Sequence, residues 1–465
     1  MFINIKNLTK DNFLNFFILS LPVSIIIGNS AVNINVVLIC LIGLAIYGFR
    51  IFKIHQDIVA CLLSIFFLYL ILITLINNVP NIGVDNTSTE NIPEYLTSGL
   101  IKSGYIQFQN SGTLYKEHIF KSFFFLRFLI LFLVINKFTE NKKLNFKFFF
   151  IISATLAFLV AVDAFVLSAV NKNFIEQSFI KHFTGFFGDE GIAGGYIQKF
   201  SLFFIFFIVM FLPISKTNKI IFTLGSVIFF FVSIIFTDNR MPLLLYLSSI
   251  LFFMVIDKRF RKYSMLVLLL FSMIMVIFFK FFPNSKPTHR LASFTGSVYQ
   301  IFKVAPKLFY HGKVNSIGKS NPQGIDFASG HLVTFNSGVQ IWKENKVFGG
   351  GLKSFRINCK MDYKFQVCNT HPHNYLIEIL VDAGLVGFII IYMAFAIVII
   401  NFFKSYKNDF KSNLRFIAIP FFLILSFEIF PLRSTGSFFS TSNAVLIFLT
   451  LAVINNYYKN NIFTK

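Results

Sequence analysis

The sequence predicts an all-α membrane protein that crosses the bilayer about twelve times. Of its 465 residues 55% are hydrophobic, and the mean hydropathy is +0.71. A soluble protein of this length could not bury so much apolar surface. The second observation is a series of apolar runs long enough to span a bilayer, and the third is the placement of basic residues between them. The runs lie near residues 13–29, 31–49, 58–78, 119–136, 148–171, 193–213, 219–236, 241–256, 264–282, 385–403, 415–432 and 442–457.

Charge in the short connections predicts the orientation. Basic residues concentrate in alternate connections, such as those at 137–147, 258–262 and 404–415, whereas the opposite short connections hold few. The positive-inside rule therefore places both termini in the cytoplasm. The net charge of +22 lies mainly beside apolar runs, and no nucleic-acid-binding motif accompanies it. We expect a lipid bilayer, not a nucleic acid, as the partner.

A long polar segment divides the chain. Residues 1–282 carry nine predicted spans, residues 283–373 form a large extracytoplasmic loop, and residues 374–465 carry three more spans. Connections this long are usually functional. The loop is rich in lysine, which indicates either a solvated face or a site for an anionic substrate.

The loop ends in the run Thr370-His371-Pro372-His373-Asn374. Polar residues are a costly way to re-enter a bilayer. We expect Pro372 at the first helical position, His373 and Asn374 in the first turn, and a stop at Gly384. A helix N-terminus keeps an imidazole neutral and favours a phosphate, which suits His373 as a general base. His371 would support it; the alternative is an interfacial turn without chemistry.

Three arginines lie on the same predicted side. Arg240 stands in a very short turn, Arg290 just beyond the ninth span, and Arg433 in a later turn. Each either anchors the interface or grips a phosphate bidentately, and Arg433 is the weakest candidate. Asp189 and Glu190 bring two carboxylates to the same surface. No metal-ligand spacing, phosphate loop or serine nucleophile motif is present, so we expect no metal and no cofactor.

Other polar residues need partners that the sequence does not reveal. Cys359 and Cys368 would either form a disulfide that braces the approach to His373 or remain two free thiols. Charged residues within apolar runs are costly unless they are paired or line a cavity. These are Arg127, Asp163, Lys199 and Glu428.

Four stretches occur in order along the later two thirds of the chain. They are GFFGDEGIAGG (185–195), TDNR (237–240), VFGGGLKSF (347–355) and HPHN (371–374), the last followed by Leu376, Gly384 and Gly387. Together they resemble the O-antigen ligase/polymerase superfamily of bacterial envelope glycosyltransferases, and the resemblance covers about residues 180–440. One departure is His331, where the family often has arginine.

The resemblance implies a multi-pass protein of the bacterial inner membrane with a periplasmic active site. Its donor would be a polyprenyl-diphosphate-linked glycan, and its acceptor lipid A-core or another glycan. Arg240 and Arg290 would hold the diphosphate, while His373 activates the acceptor hydroxyl. Beside these three residues, we expect substrate binding by His371, Asn374, Arg433, Asp189 and Glu190. Ligase and polymerase share these motifs, and ligase is slightly preferred. A lipid-linked oligosaccharide flippase is a further alternative, although its polar residues would follow a central path.

Overall fold

The architecture is a bundle of helices. The computed structural model describes residues 9–77, 113–170, 184–188, 191–283, 288, 330–359, 370–408, 415–431, 433–434 and 436–460. The described α-helices are α1 Lys10–Leu19, α2 Leu21–Ile27, α3 Asn29–Tyr47, α4 Ile58–Asn77, α5 Thr113–Phe125, α6 Arg127–Glu140, α7 Phe146–Val170, α8 Ala193–Phe211, α9 Lys216–Phe236, α10 Arg240–Ile256, α11 Lys258–Arg261, α12 Ser264–Phe281, α13 Gly330–Glu344, α14 Ser354–Asn358, α15 Tyr375–Asn408, α16 Arg415–Glu428 and α17 Thr441–Asn460. Short 3₁₀ turns are Gly48–Phe52, Ile54–Gln56 and Gly185–Phe187.

The prediction of a multi-span helical membrane protein is confirmed. Within the described ranges, 8 helices are long and apolar enough to cross a membrane, or 9 if the bent pair α1–α2 counts as one span. A helix occupies each of the twelve predicted positions, but α10, α16 and α17 are shorter or less apolar than a full span requires. Twelve crossings, and the sidedness of the termini, therefore stay predictions.

An ion pair between α10 and α16 shows how these two helices run relative to each other. Asp257, directly after α10, pairs with Arg415 at the start of α16 at 2.5 Å, and both side chains are fully buried. The two helices are therefore antiparallel, about 25 and 21 Å long at 1.5 Å per residue. Arg240 and Glu428, at their other ends, lie at the same end of the bundle. We call this the motif end, and we call the end with Asp257 and Arg415 the opposite end.

The long helix α15 joins the two ends. Near its start, the Tyr375 hydroxyl donates to Glu428 at 3.2 Å, and near its finish the Tyr406 hydroxyl donates to Asp257 at 2.9 Å. Asp57 also lies at the opposite end, where its carboxylate caps α4 and accepts from Asn455 at 2.7 Å. Each buried carboxylate thus has a donor, as the apolar surroundings require.

Aromatic packing fills the space between the helices. Phe402 of α15 stacks on Phe422 of α16 with ring centroids 3.8 Å apart, and Phe128 of α6 stacks on Phe448 of α17 at 6.2 Å. Such stacked pairs add to the dispersion energy that holds helices together where lipid removes the hydrophobic drive. Much of the phenylalanine in the sequence therefore serves as core.

The helix α15 is broken at Gly384, as the sequence predicted. Its backbone there is left-handed (φ 62°), and the segment 346–351 docks into the break. Gly350 N donates to Val381 O at 2.9 Å, and Leu385 N donates to Lys346 O at 2.9 Å. These bonds satisfy backbone groups that the break leaves open.

Close approach explains the glycines on both sides of this contact. A Cβ at Gly384 would overlap Val347 O, and a Cβ at Gly349 (φ 79°) would overlap Gly384 N. The far side of the docked segment contacts the end of α4, where Asn77 donates to Gly349 O at 2.9 Å and Leu352 N donates to Thr74 at 2.8 Å. The glycine-rich stretch thus packs between α4 and α15 at the motif end.

Candidate active site

The HPHN run stands just before α15. The helix begins at Tyr375, and the Asn374 side chain caps it by accepting from Ile377 N at 3.0 Å. The expectation that Pro372 opens the helix, with His373 and Asn374 in its first turn, is therefore wrong. Asparagine is among the best N-caps, and its bond to the third helical N–H takes precedence over the proline signal.

His373 precedes the helix in a left-handed conformation, with φ 56°. The ring centroids of His371 and His373 are 4.2 Å apart, and the Thr370 hydroxyl lies 2.9 Å from His371 Nδ1. The two imidazoles therefore form one cluster, with His373 adjacent to the cap and still at the positive end of the α15 dipole.

Asn374 also ties this run to the connection between α16 and α17. Its amide nitrogen donates to Pro431 O at 2.7 Å and to Arg433 O at 3.0 Å, and the residue is only 3% exposed. The amide oxygen of Asn374 therefore caps α15, and its amide nitrogen holds the connection between α16 and α17. Asn374 is therefore a structural junction beside the two histidines.

One turn into α15, Glu378 anchors the next part of the same connection. Its carboxylate accepts from Ser437 Oγ at 2.5 Å and from Phe438 N at 2.6 Å. It also pairs with Lys353 at 3.2 Å, and Lys353 in turn contacts Ser437. This buried network joins the glycine-rich stretch, α15 and the segment before α17.

Asp382 holds the same stretch from one turn further along. Its carboxylate accepts from Lys353 N at 2.7 Å and from Ser354 Oγ at 3.0 Å. Lys353 is itself left-handed (φ 63°). The carboxylates at 378 and 382 thus fix both the main chain and the side chain of Lys353.

A second buried charge cluster lies beside the first. Lys199 and Arg433 contact Glu428 Oε1 at 2.9 and 2.7 Å, and Tyr375 donates to the other oxygen. Burial works to lower the pKa of the Arg433 guanidinium, but the Glu428 carboxylate outweighs it and leaves that pKa above its ordinary value. Arg433 therefore remains a cation.

Arg240 opens α10 at the motif end. The turn before it contains Asp238 in a left-handed conformation, with φ 61°. A Cβ at Gly194 of α8 would overlap the Thr237 hydroxyl and lie 2.8 Å from Asn239 Cβ, so α8 packs directly on this turn. Because α8 also carries Lys199, it links the Arg240 turn to the cluster around Glu428.

The helix α13 covers the histidine run. A Cβ at Gly338 would lie 3.1 Å from Pro372 Cβ and 2.5 Å from Ile377. Below it, Ile341, Phe355, Cys359 and Val381 form a small apolar core. Cys359 is disulfide-bonded. Its expected partner Cys368 lies outside the described residues, so that pairing stays a prediction.

Strained backbone concentrates in the candidate motifs. Among the described residues, four non-glycine residues have positive φ, and three of them are Asp238, Lys353 and His373. Such conformations cost energy and persist where the surroundings hold them in place, which is common at functional sites. Each of the three lies in one of the stretches on which the resemblance rests.

Several predicted site residues lie outside the described part of the chain. These are Arg290, Asp189 and Glu190, and the side chain of His331 is also undescribed. Their roles stay predictions. Of the charged residues in apolar runs, Arg127 bonds Asn33 at 2.8 Å, and Lys199 pairs with Glu428. Asp163 has no partner among the described residues.

Sequence reasoning missed the network of Lys353, Glu378, Asp382 and Ser437. Glu378 and Asp382 follow the histidine run at helical spacing, which was a signal that both carboxylates face one side of α15. The sequence marks Lys353 as part of the glycine-rich stretch and as one of the lysines of the long loop, and neither feature indicates its carboxylate partners. Ser437 is an ordinary serine in a turn, and nothing in its local sequence marks it.

The fold and this site define a multi-span helical membrane protein with a polar, charged cluster at one end. Residues 225–392, about a third of the chain, match the family model described as O-antigen ligase. The match includes the Arg240 turn, the glycine-rich stretch and the HPHN run, and it confirms the resemblance to the O-antigen ligase superfamily. No curated protein matches the chain. The family indicates a ligase- or polymerase-type function.

Proposed function

We propose that the protein is a glycosyltransferase that moves a glycan from a polyprenyl-diphosphate donor to an acceptor hydroxyl at the motif end. The observation that carries the proposal is the family match over 225–392, whose signature residues converge at one end of the bundle. Chemistry by a membrane enzyme on two lipid-linked substrates requires such a one-sided site. A flippase would need polar groups along a central path.

His373 would act as the general base. In the proposed reaction it takes the proton of the acceptor hydroxyl, and the acceptor oxygen forms a bond to the anomeric carbon of the donor glycan. The bond from that carbon to the diphosphate oxygen breaks, and the polyprenyl diphosphate leaves with the electron pair. His371 would support His373, with which its ring is in contact.

Cations would stabilise the leaving diphosphate. Arg240 and Arg290 are the proposed contacts, and the bidentate geometry of guanidinium groups suits phosphate. Asn374 and Arg433 would bind substrate close to the histidines, and Asp189 and Glu190 stay candidates for substrate binding. No metal or cofactor enters the proposed reaction.

The proposed location is the inner membrane of a bacterium, with the motif end facing the periplasm. This orientation is supported by the basic short connections, which fall at the opposite end. The acceptor would be lipid A-core for a ligase or a growing glycan for a polymerase. The two activities share the superfamily motifs; we slightly prefer the ligase, and the deletion strain described below separates them.

The test is a deletion strain complemented with variants and analysed for lipopolysaccharide. We expect His373→Ala to abolish long surface glycan while the protein still inserts in the membrane. His55→Ala is the matched control, because His55 is an exposed histidine near Asp57 at the opposite end. If the strain with His373→Ala made long surface glycan at the wild-type level, His373 would not be the general base.

The deletion strain itself separates the two activities. Accumulation of polymerised lipid-linked glycan, with none on lipid A-core, indicates a ligase. Single repeat units on the core indicate a polymerase. Glycan that accumulates on the cytoplasmic face would instead support a flippase.

A further inference from the structure

Exposed apolar side chains lie where α13 leads into the glycine-rich stretch. Val347 and Phe348 are 49% and 59% exposed, although they stand in a turn and not on a membrane-spanning helix. Trp342, the single tryptophan of the chain, is half-exposed, and its indole N–H donates to Lys346 O at 3.1 Å. We call the segment 342–348 the exposed turn. A contiguous apolar patch of this kind marks a surface that contacts a partner or a membrane.

The carbonyl groups at the end of the exposed turn are hydrogen-bonded within the protein. Those of residues 346–347 accept from the N–H groups of residues 385–386 at 2.9 and 3.1 Å. The Tyr69 hydroxyl donates to Phe348 O at 2.7 Å. Irregular backbone is tolerated at membrane depth only where the protein supplies the bonds that water would otherwise make. The last residues of the exposed turn meet this condition, and the side chains that they direct outward are apolar.

Contacts with α4 indicate the depth of the exposed turn. This helix has 20 residues and is about 30 Å long, which matches the thickness of the hydrocarbon layer. Its last residue, Asn77, donates to Gly349 O, and Tyr69, about two turns earlier, donates to Phe348 O. Phe348 therefore lies beside the last two turns of α4, below the level at which this helix leaves the hydrocarbon layer.

The lipid-facing surfaces of the two neighbouring helices continue into the exposed turn. On α4, Leu72 and Ile76 lie four residues apart and are 56% and 58% exposed. On α15, Leu385 and Ile389 have the same spacing and are 39% and 52% exposed. Apolar side chains that point outward from membrane-spanning helices face lipid. Because the exposed turn packs between these helices, its apolar side chains extend the same lipid-facing surface.

We propose that the exposed turn is a membrane anchor that inserts Val347 and Phe348 into the lipid leaflet at the motif end. The Trp342 ring lies at the level of the lipid headgroups, where tryptophan side chains are enriched. Lys343 and Lys346 flank the apolar side chains, and long basic side chains extend from such a position to the headgroups. The partner of this surface is therefore the bilayer itself.

The anchor connects the bilayer to the candidate active site. The helix α13 runs directly into the exposed turn, and at Gly338 it packs against Pro372 of the HPHN run. Lipid that holds the turn therefore also holds α13 over the two histidines. The proposal does not depend on glycan transfer, because it concerns lipid contact alone.

The single tryptophan allows a test without an added label. The full-length protein is placed in nanodiscs of phosphatidylcholine whose acyl chains carry bromine, a contact quencher of indole, close to the headgroup. We expect a loss of Trp342 emission relative to nanodiscs of unbrominated lipid, and little loss when iodide is added to the water. Strong quenching by iodide without quenching by bromine would overturn the anchor. Weak quenching by both would also overturn it, because a protein partner would then cover the turn.

A second tryptophan position calibrates the measurement. Leu72→Trp in a Trp342→Phe background places the only indole on the lipid-facing surface of α4. We expect brominated lipid to quench it and iodide to leave it unchanged. Trp342 should then behave like this lipid-facing indole, with somewhat greater access to iodide because it lies at headgroup level.

Phe348→Glu tests the insertion itself. A carboxylate is costly in the hydrocarbon layer, so the turn should leave the bilayer, and Trp342 should lose quenching by bromine and gain quenching by iodide. Phe49→Glu is the matched control, because Phe49 is 91% exposed in the turn Gly48–Phe52 that precedes Asp57 at the opposite end. It should leave both kinds of quenching unchanged. Thermal unfolding in detergent checks that each variant is folded, and wild-type quenching by bromine in a folded Phe348→Glu protein would overturn the proposal.

Discussion

At the scale of single residues, Asn374 shows how one side chain organises the site. Its oxygen caps α15 and its nitrogen holds the connection that carries Arg433. The sequence marked Asn374 as a substrate-binding candidate in the first turn of the helix, not as its cap. Its two functions require partners 3 and 57–59 residues away, and only the near one follows from local sequence.

The two functions can be separated by substitution. Asn374→Ala removes the cap and the tether, and we expect it to lower the free energy of unfolding by about 1–3 kcal/mol. Asn374→Ser keeps a good cap but is too short to reach both carbonyls, so it should recover part of that loss. Thermal unfolding in detergent measures the difference.

Glycan transfer by the Asn374→Ala and Asn374→Ser variants tests whether catalysis needs the hydrogen bonds from Asn374 to the connection between α16 and α17. Both variants should lose most activity, because the connection bearing Arg433 is released in each. If Asn374→Ser transfers glycan at the wild-type rate, the tether is not required for catalysis.

At the scale of elements, the docked glycine-rich segment and the broken helix α15 are one unit. The sequence predicted a helix stop at Gly384, and it showed the glycine-rich stretch as a separate feature without indicating a contact between the two. Their contact became visible only in three dimensions, where Gly349 and Gly384 meet backbone to backbone. The glycines are needed because two main chains approach more closely than any Cβ allows.

Gly384→Ala should therefore undock the segment. The added methyl group meets Val347 O, and the left-handed backbone adds strain. We expect a clear fall in the thermal unfolding temperature and loss of glycan transfer, since Lys353 is positioned by this contact. The measurements are detergent unfolding and complementation of the deletion strain.

Gly225→Ala is the control for this substitution. Gly225 lies inside α9, and a Cβ there meets nothing within 4 Å. Alanine should stabilise the helix by about 0.5–1 kcal/mol or leave it unchanged. Equal behaviour of the two variants would contradict the close-approach argument.

At the scale of the whole molecule, the bundle separates its polar groups by end. The motif end holds the histidines and the two charge clusters, and the opposite end holds the buried Asp257–Arg415 ion pair. The positive-inside rule then predicts that the motif end is extracytoplasmic. This orientation can be tested without any assay of activity.

Cysteine accessibility in intact cells provides that test. In a background without Cys40 and Cys61, both of which are free thiols, Lys280→Cys at the motif end should react with a membrane-impermeant maleimide. Lys216→Cys, exposed at the start of α9, should react only after permeabilisation. The reverse pattern would invert the predicted orientation and place the site in the cytoplasm.

The sequence by itself determined the class of protein, the positions of its helices and the stretches that form the site. Apolar length, basic connections and short motifs are local properties, so they can be read along the chain. Tertiary structure decided the cap at Asn374, the placement of Lys353 between Glu378 and Asp382, and the sharing of Glu428 by Lys199 and Arg433. These contacts join residues that are far apart in sequence, and a buried charge selects its partner by packing geometry, which sequence distance does not encode.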